Sequence, residues 1–204
     1  MSIANYLTFM RIFISPIFLF VYLEYETFNI NLITLPYVLL FLFGISELSD
    51  ACDGYVARRY NEVTDLGKIL DPMADSIYRI SVFLTFTLPP IQLPMILIFI
   101  ILYRDSVVST LRTICALKGF ALAARPSGKL KAAIQAFSAF VIILLLIPYS
   151  LGHLPKETLH LTSTIIVTVA SIYTLFSGID YVYANRQYVA RLLNLRKDKA
   201  TLET

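Results

Sequence analysis

Four aspartates stand at fixed spacing in one short stretch of this chain: Asp50 and Asp53, then Asp71 and Asp75, with Gly54, Ala57, Arg58 and Gly67 between them. The runs on either side are apolar, so these carboxylates need partners. On helices, Asp50 and Asp53 (i, i+3) share a face, and Asp71 and Asp75 (i, i+4) share another. Two facing pairs of carboxylates make a cage for a hard divalent cation. Mg²⁺ suits it best, because it takes carboxylate oxygen and bridges to substrate phosphates. The competing reading is a salt-bridge network with nearby arginines, which has no use for two glycines at fixed offsets.

Such residues have to be held by the apolar segments around them. The chain has 204 residues, 57% hydrophobic and 15% charged, with a mean hydropathy of +0.71 and no tryptophan, the composition of a membrane protein. Crossing the hydrocarbon takes roughly 20 mostly apolar residues. Six segments approach that length: Leu7–Tyr25, Leu32–Ser49 running on to about Arg59, Leu66–Leu88, Ile91–Leu117, Lys129–Tyr149 and Glu157–Ala184. Pro89-Pro90 separates the third from the fourth, and Pro148 and Pro155 bracket the turn between the fifth and sixth. Ser2–Met10 carries little charge and could start as an interfacial segment. The expectation is an all-α bundle of six transmembrane helices forming one domain over residues 1–204, since no Gly/Ser- or Pro-rich linker divides the chain. The first apolar run lacks a charged leader and a cleavage site and is expected to be retained. Cys52 and Cys115 read as small packing residues rather than a disulfide or metal ligands.

Basic residues give the sidedness. Arg58, Arg59 and Lys68 follow the second span, Lys118, Arg125, Lys129 and Lys131 follow the fourth, and Arg186, Arg191, Arg196, Lys197 and Lys199 follow the sixth. The alternate connections carry Lys156 against Glu24, Glu26 and Glu157. Positive-inside asymmetry then puts both termini and the aspartates on the cytoplasmic side, in a bacterial-type inner membrane. The net charge of +3 is a sidedness signal, not a nucleic-acid footprint, and the basic tail is either a lipid-headgroup contact or a solvated helix.

Arg11, Glu47, Asp50, Asp53, Asp71, Asp75, Arg79, Arg104, Asp105, Arg112 and Asp180 all fall in or beside apolar segments. Each costs about 2.5–3.5 kcal/mol in hydrocarbon, so they should face one another across a wet chamber open to the cytoplasm. Carboxylates beside arginines suit a phosphorylated substrate. Glu47 and Asp180 read equally well as packing or cap partners, and His153 and His160 as solvated groups near a loop.

From Asp50 to Asp75 the pattern D-x2-D-G-x2-A-R-x8-G-x3-D-x3-D resembles, at every specified position, the signature of the CDP-alcohol phosphotransferase family. The resemblance implies a six-span enzyme that moves a phosphorylated group from a CDP-linked donor to an alcohol and releases CMP. It implies that Asp50, Asp53, Asp71 and Asp75 hold Mg²⁺ or Mn²⁺, as two ions, against the donor diphosphate, with Asp75 as general base. Gly54, Ala57 and Gly67 would leave room for the nucleotide, Arg58 would contact the diphosphate, and the protein would be a homodimer.

Ala4-Asn5-Tyr-Leu-Thr8-x2-Arg11, Arg104-Asp105-x6-Arg112 and Ser127-Gly128-Lys129-x-Lys131-x3-Gln135 resemble segments of the phosphatidylglycerophosphate synthase branch. Ala4 stands where proline is usual there, Asp105 where glutamate is, and Ala132 where threonine is. That branch implies CDP-diacylglycerol and sn-glycerol 3-phosphate as substrates. Arg104, Arg112, Lys129 and Lys131 supply more cation than a neutral alcohol needs, which also points to a phosphorylated acceptor. Inositol phosphate, serine or phosphatidylglycerol as acceptor, a divalent-cation transporter and a lipid-binding scaffold are the alternatives. A transporter would carry its acids near mid-membrane on broken helices.

Overall fold

A computed structural model describes residues 3–59, 65–117 and 125–187, with backbone alone at 3–5, 7, 51, 53–59, 65–69 and 116. Lys118 and the basic tail from Arg191 onward lie outside the described residues. Six helices, and no strand, make up the described chain: α1 (Ile3–Leu23), α2 (Leu35–Arg59), α3 (Asp65–Thr85), α4 (Met95–Leu117), α5 (Pro126–Ser150) and α6 (Lys156–Ala184). The expectation of an all-α chain of six helices holds.

The boundaries shift where proline and turn chemistry outweigh apolar pattern. α1 is continuous from Ile3, so the expected interfacial segment is its first turns and not a separate element. α4 begins at Met95 rather than Ile91: Ile91 and Leu93 are buried in the connection, and Leu93 N–H donates to Phe86 O at 2.9 Å. α5 begins three residues early because Pro126 occupies its first turn, where a missing N–H costs nothing. Pro148 lies inside the last turn of α5 and not in the turn beyond it. Gly152, at φ +76°, ends the helix in left-handed backbone open to glycine.

The helices close into a ring in which α1 packs on α2 and α3, α3 on α4, α4 on α6, α6 on α5 and α5 on α2, with α3 also touching α5 across the middle. Up-and-down order brings the first halves of odd helices and the second halves of even ones to one end. The opposite end holds the apolar core, where Phe18, Leu39, Phe83, Phe86, Ile98, Leu146 and Leu159 are buried. Phe18 and Phe86 meet edge to face at 6.1 Å between ring centroids. Some polar groups buried between helices are bonded across them, as in Gln135 Nε2 donating to Thr174 Oγ1 at 2.9 Å and Ser171 Oγ donating to Leu97 O at 3.2 Å.

The outside is the reverse of a soluble protein's. Met10, Phe13, Ile17 and Phe20 on α1, and Leu161, Ile165, Val169, Ile172, Phe176 and Ile179 on α6, are exposed at helical spacing. Arg11, Asp105, Lys131 and Gln135 are buried. Among the described residues, two helices, α5 and α6, are long and apolar enough to cross a membrane, and Thr8–Leu23 of α1 is a shorter apolar run. α3 carries acids and bases along its length, α2 from Glu47 onward and α4 from Arg104 onward, which lowers their hydropathy there.

Candidate functional site

α1 brings two polar side chains, one helical turn apart, to the aspartates. Thr8 Oγ1 donates to Asp71 Oδ1 at 2.7 Å. Arg11 Nη1 lies 3.0 Å from Asp50 Oδ1 and also donates to Asp75 Oδ1, so one guanidinium joins α2 to α3. On the same face of α3, Arg79 Nη2 is 3.9 Å from Asp75 Oδ2. The Arg11 side chain is 2% exposed while those of Asp50 and Asp75 are 40% and 26% exposed, so the carboxylates open outward in front of a buried cation.

Of the expected metal and donor ligands, Asp50, Asp71 and Asp75 have described side chains. Those of Asp53, Ala57 and Arg58, and the surroundings of Gly54 and Gly67, lie outside the described residues; their backbone is helical. Among the described residues no three His, Cys, Asp or Glu side chains converge on a common point. The donor chemistry nevertheless fits a hard divalent ion: carboxylate oxygens from two helices, partly open to solvent.

A cavity of about 280 Å³ adjoins this cluster between α3, α4, α5 and α6. Asp71 and Asp75 border it, as do all four residues expected at an acceptor phosphate: Arg104, Arg112, Lys129 and Lys131. Their surroundings differ. Lys131 Nζ is 2.7 Å and Arg104 Nη1 3.0 Å from the same Asp105 oxygen, in a nearly solvent-free group, so neither is an isolated cation. Arg112 Nε donates to Tyr181 Oη at 3.2 Å, and its guanidinium stands 5.3 Å over the Tyr181 ring. Lys129 is exposed.

Three further groups at the cavity, Arg79, Arg125 and Tyr181, had no specific role assigned from the sequence. Arg79 and Arg125 line it. Arg125 donates to both carboxylate oxygens of Asp180, at 2.9 and 3.3 Å, and Ser127 Oγ donates to Asp180 Oδ2 at 2.6 Å, which ties the start of α5 to the end of α6. Asp180 is thus a partner that fixes a helix start. Tyr181 backs Arg112, and Gly178, one turn earlier on α6, lies against Arg104. Arg79 was already expected at the chamber as a charge in an apolar segment, and Arg125 had a local signal in its place beside the Pro126-Ser127-Gly128 run. His160 is not a solvated loop group: on α6, its Nδ1 is 3.0 Å from Ile91 O. Cys52 is exposed and Cys115 buried, with no disulfide. Around the cavity six cations, Arg79, Arg104, Arg112, Arg125, Lys129 and Lys131, face three carboxylates, Asp71, Asp75 and Asp105. An excess of positive charge beside open carboxylates can hold an anion next to a proton acceptor.

Residues 1–178 match the family described as CDP-alcohol phosphatidyltransferase. The chain is 30% identical over 189 residues to a CDP-diacylglycerol–glycerol-3-phosphate 3-phosphatidyltransferase of Rickettsia bellii, covering 92% of this chain and 97% of that protein. It is 31% identical over 185 residues to the Bacillus subtilis protein of the same name, covering 86% and 94%. A probable phosphatidylglycerophosphate synthase of Mycobacterium tuberculosis is 29% identical over 181 residues, covering 89% and 80%.

Proposed function

Because the chain belongs to the CDP-alcohol phosphatidyltransferase family, we propose that it transfers the phosphatidyl group of CDP-diacylglycerol to sn-glycerol 3-phosphate, releasing CMP and forming phosphatidylglycerophosphate. The observation that carries the choice of acceptor is the cavity in which six cations, one of them Arg125 already paired with Asp180, face Asp71, Asp75 and Asp105. A phosphorylated alcohol satisfies that charge; a neutral one leaves it uncompensated.

The acceptor hydroxyl attacks the phosphorus that bears the diacylglycerol. A new P–O bond forms, the bond to the CMP oxygen breaks, and the hydroxyl proton passes to the Asp75 carboxylate. Arg11 and Arg79 hold that carboxylate from two sides and fix its direction. Arg104, Arg112, Lys129 and Lys131 hold the acceptor phosphate, with the Arg112 fork steadied by Tyr181. Gly54, Ala57 and Gly67 leave space for the nucleotide, and Arg58 contacts the diphosphate. Divalent ions, Mg²⁺ or Mn²⁺ and two in number, would be held by Asp50, Asp53, Asp71 and Asp75, and would neutralise the diphosphate and stabilise departing CMP.

The six helices span the membrane with both termini and the site on the cytoplasmic side, as a homodimer. The exposed apolar faces of α1 and α6 and the basic residues at the site end support the spanning arrangement and its direction. The test is an acceptor panel with CDP-diacylglycerol and purified protein. Glycerol 3-phosphate should release CMP and yield a lipid of the mass of phosphatidylglycerophosphate. Release with serine, inositol phosphate or phosphatidylglycerol instead would reassign the acceptor.

A further inference from the structure

Gly178 is where α6 leaves room for Arg104 of α4. A Cβ at position 178 would stand 2.8 Å from Arg104 Cγ, 3.7 Å from its Nε and 3.8 Å from its Cδ. Carbon atoms pack at about 3.5–4.0 Å, so the first of these is a collision. The obstructing atom is near the root of the side chain. Relief therefore takes a turn about the first torsions, and the guanidinium at the far end swings the most.

The place of that guanidinium is tightly drawn. Arg104 Nη1 holds Asp105 at 3.0 Å, the same carboxylate oxygen that accepts from Lys131. Its buried Nε–H has no hydrogen-bond partner among the described residues. Arg104 also forms part of the wall between the polar cavity and a separate apolar groove of about 510 Å³ lined by Val107, Leu175, Ile179 and Val182. A bulkier residue at 178 displaces the cation from that wall.

We propose that Gly178 is a positioning residue for the acceptor: by lacking a side chain it lets Arg104 lie across α6 and present its guanidinium to the acceptor phosphate beside Asp105 and Lys131. This deepens the transfer reading above and rests on it. It concerns one substrate only, since the aspartates and glycines assigned to the donor lie on α2 and α3.

The test compares wild type, Gly178→Ala, Arg104→Ala and the double variant, purified in detergent. Gly178→Ala should raise the KM for glycerol 3-phosphate by ~10-fold or more, as misplacement of a binding group by about an ångström does, with the KM for CDP-diacylglycerol within about twofold. In the Arg104→Ala background the same glycine change should have no further effect on kcat/KM for glycerol 3-phosphate, read as the initial slope below saturation, because the atoms it would strike are gone. An unchanged glycerol 3-phosphate KM in a folded Gly178→Ala protein overturns the inference. So does an equal loss in both backgrounds, which would mark Gly178 as a helix-packing residue. A wild type that releases no CMP with glycerol 3-phosphate would sink the transfer reading itself, a result distinct from either.

Discussion

Lys131 of α5 and Asp105 of α4 meet at 2.7 Å inside the bundle, with 7% and 3% of their side chains exposed. The contact joins two helices that supply acceptor residues, and it leaves the second Asp105 oxygen buried without a partner among the described residues. A buried pair of this kind is asymmetric: breaking it by removing one member costs more than replacing both.

Asp105→Ala should therefore lower stability by about 3–5 kcal/mol, and Lys131→Met in the same protein should restore the part owed to the stranded lysine, Arg104 still lacking its carboxylate. Thermal unfolding in detergent reads both. A single variant as stable as wild type would show the pair to be dispensable for the fold.

Carboxylates grouped at the ends of α2 and α3 repel one another when uncompensated, and Arg11 and Arg79 bring two charges to four carboxylates. Chelation should abolish turnover, and added Mg²⁺ or Mn²⁺ should restore it. Asp50→Asn and Asp53→Asn should each raise the metal concentration needed. Full turnover of either variant in chelator would remove the ion from the reaction.

Asp75 is assigned as proton acceptor, so Asp75→Asn should slow the chemical step by about 10²–10⁴-fold while CDP-diacylglycerol still binds. Donor affinity measured by equilibrium binding separates the roles. If affinity collapses with rate, Asp75 serves chiefly as a ligand.

Arg112 and Lys129 reach one cavity from α4 and α5. Arg112→Ala and Lys129→Ala should each raise the KM for glycerol 3-phosphate well above any change for CDP-diacylglycerol, with the arginine change larger because a guanidinium grips phosphate with two hydrogen bonds. Tyr181→Phe, which keeps the ring and deletes the hydroxyl beside Arg112 Nε, should move the same KM less. Unchanged acceptor dependence in both cation variants would dissolve the clamp.

Helix positions were legible because apolar runs and prolines are local signals: the end of α6 at Ala184 falls where the pattern stops. The start of α4 was not, since Leu93 is apolar for burial in a turn rather than for a helix face. The aspartates and the four acceptor cations stood out as charges in apolar surroundings. What no spacing could show is which charges answer one another. Asp105 faces Lys131 from 26 residues away, Asp180 faces Arg125 from 55, and Arg11 faces Asp75 from 64. Tyr181 and Gly178 were invisible for another reason: an aromatic and a glycine on an apolar helix are ordinary until the cation beside each is known.

The order of helices around the ring also fixes an order in time. α6, the last of the described helices to be synthesised, packs on α4 and α5, and it carries Gly178, Asp180 and Tyr181. A growing chain that has laid down its aspartates and its basic residues still lacks the support of Arg104, Arg112 and Arg125. Until translation reaches that helix, the chain holds those groups without the wall that steadies them.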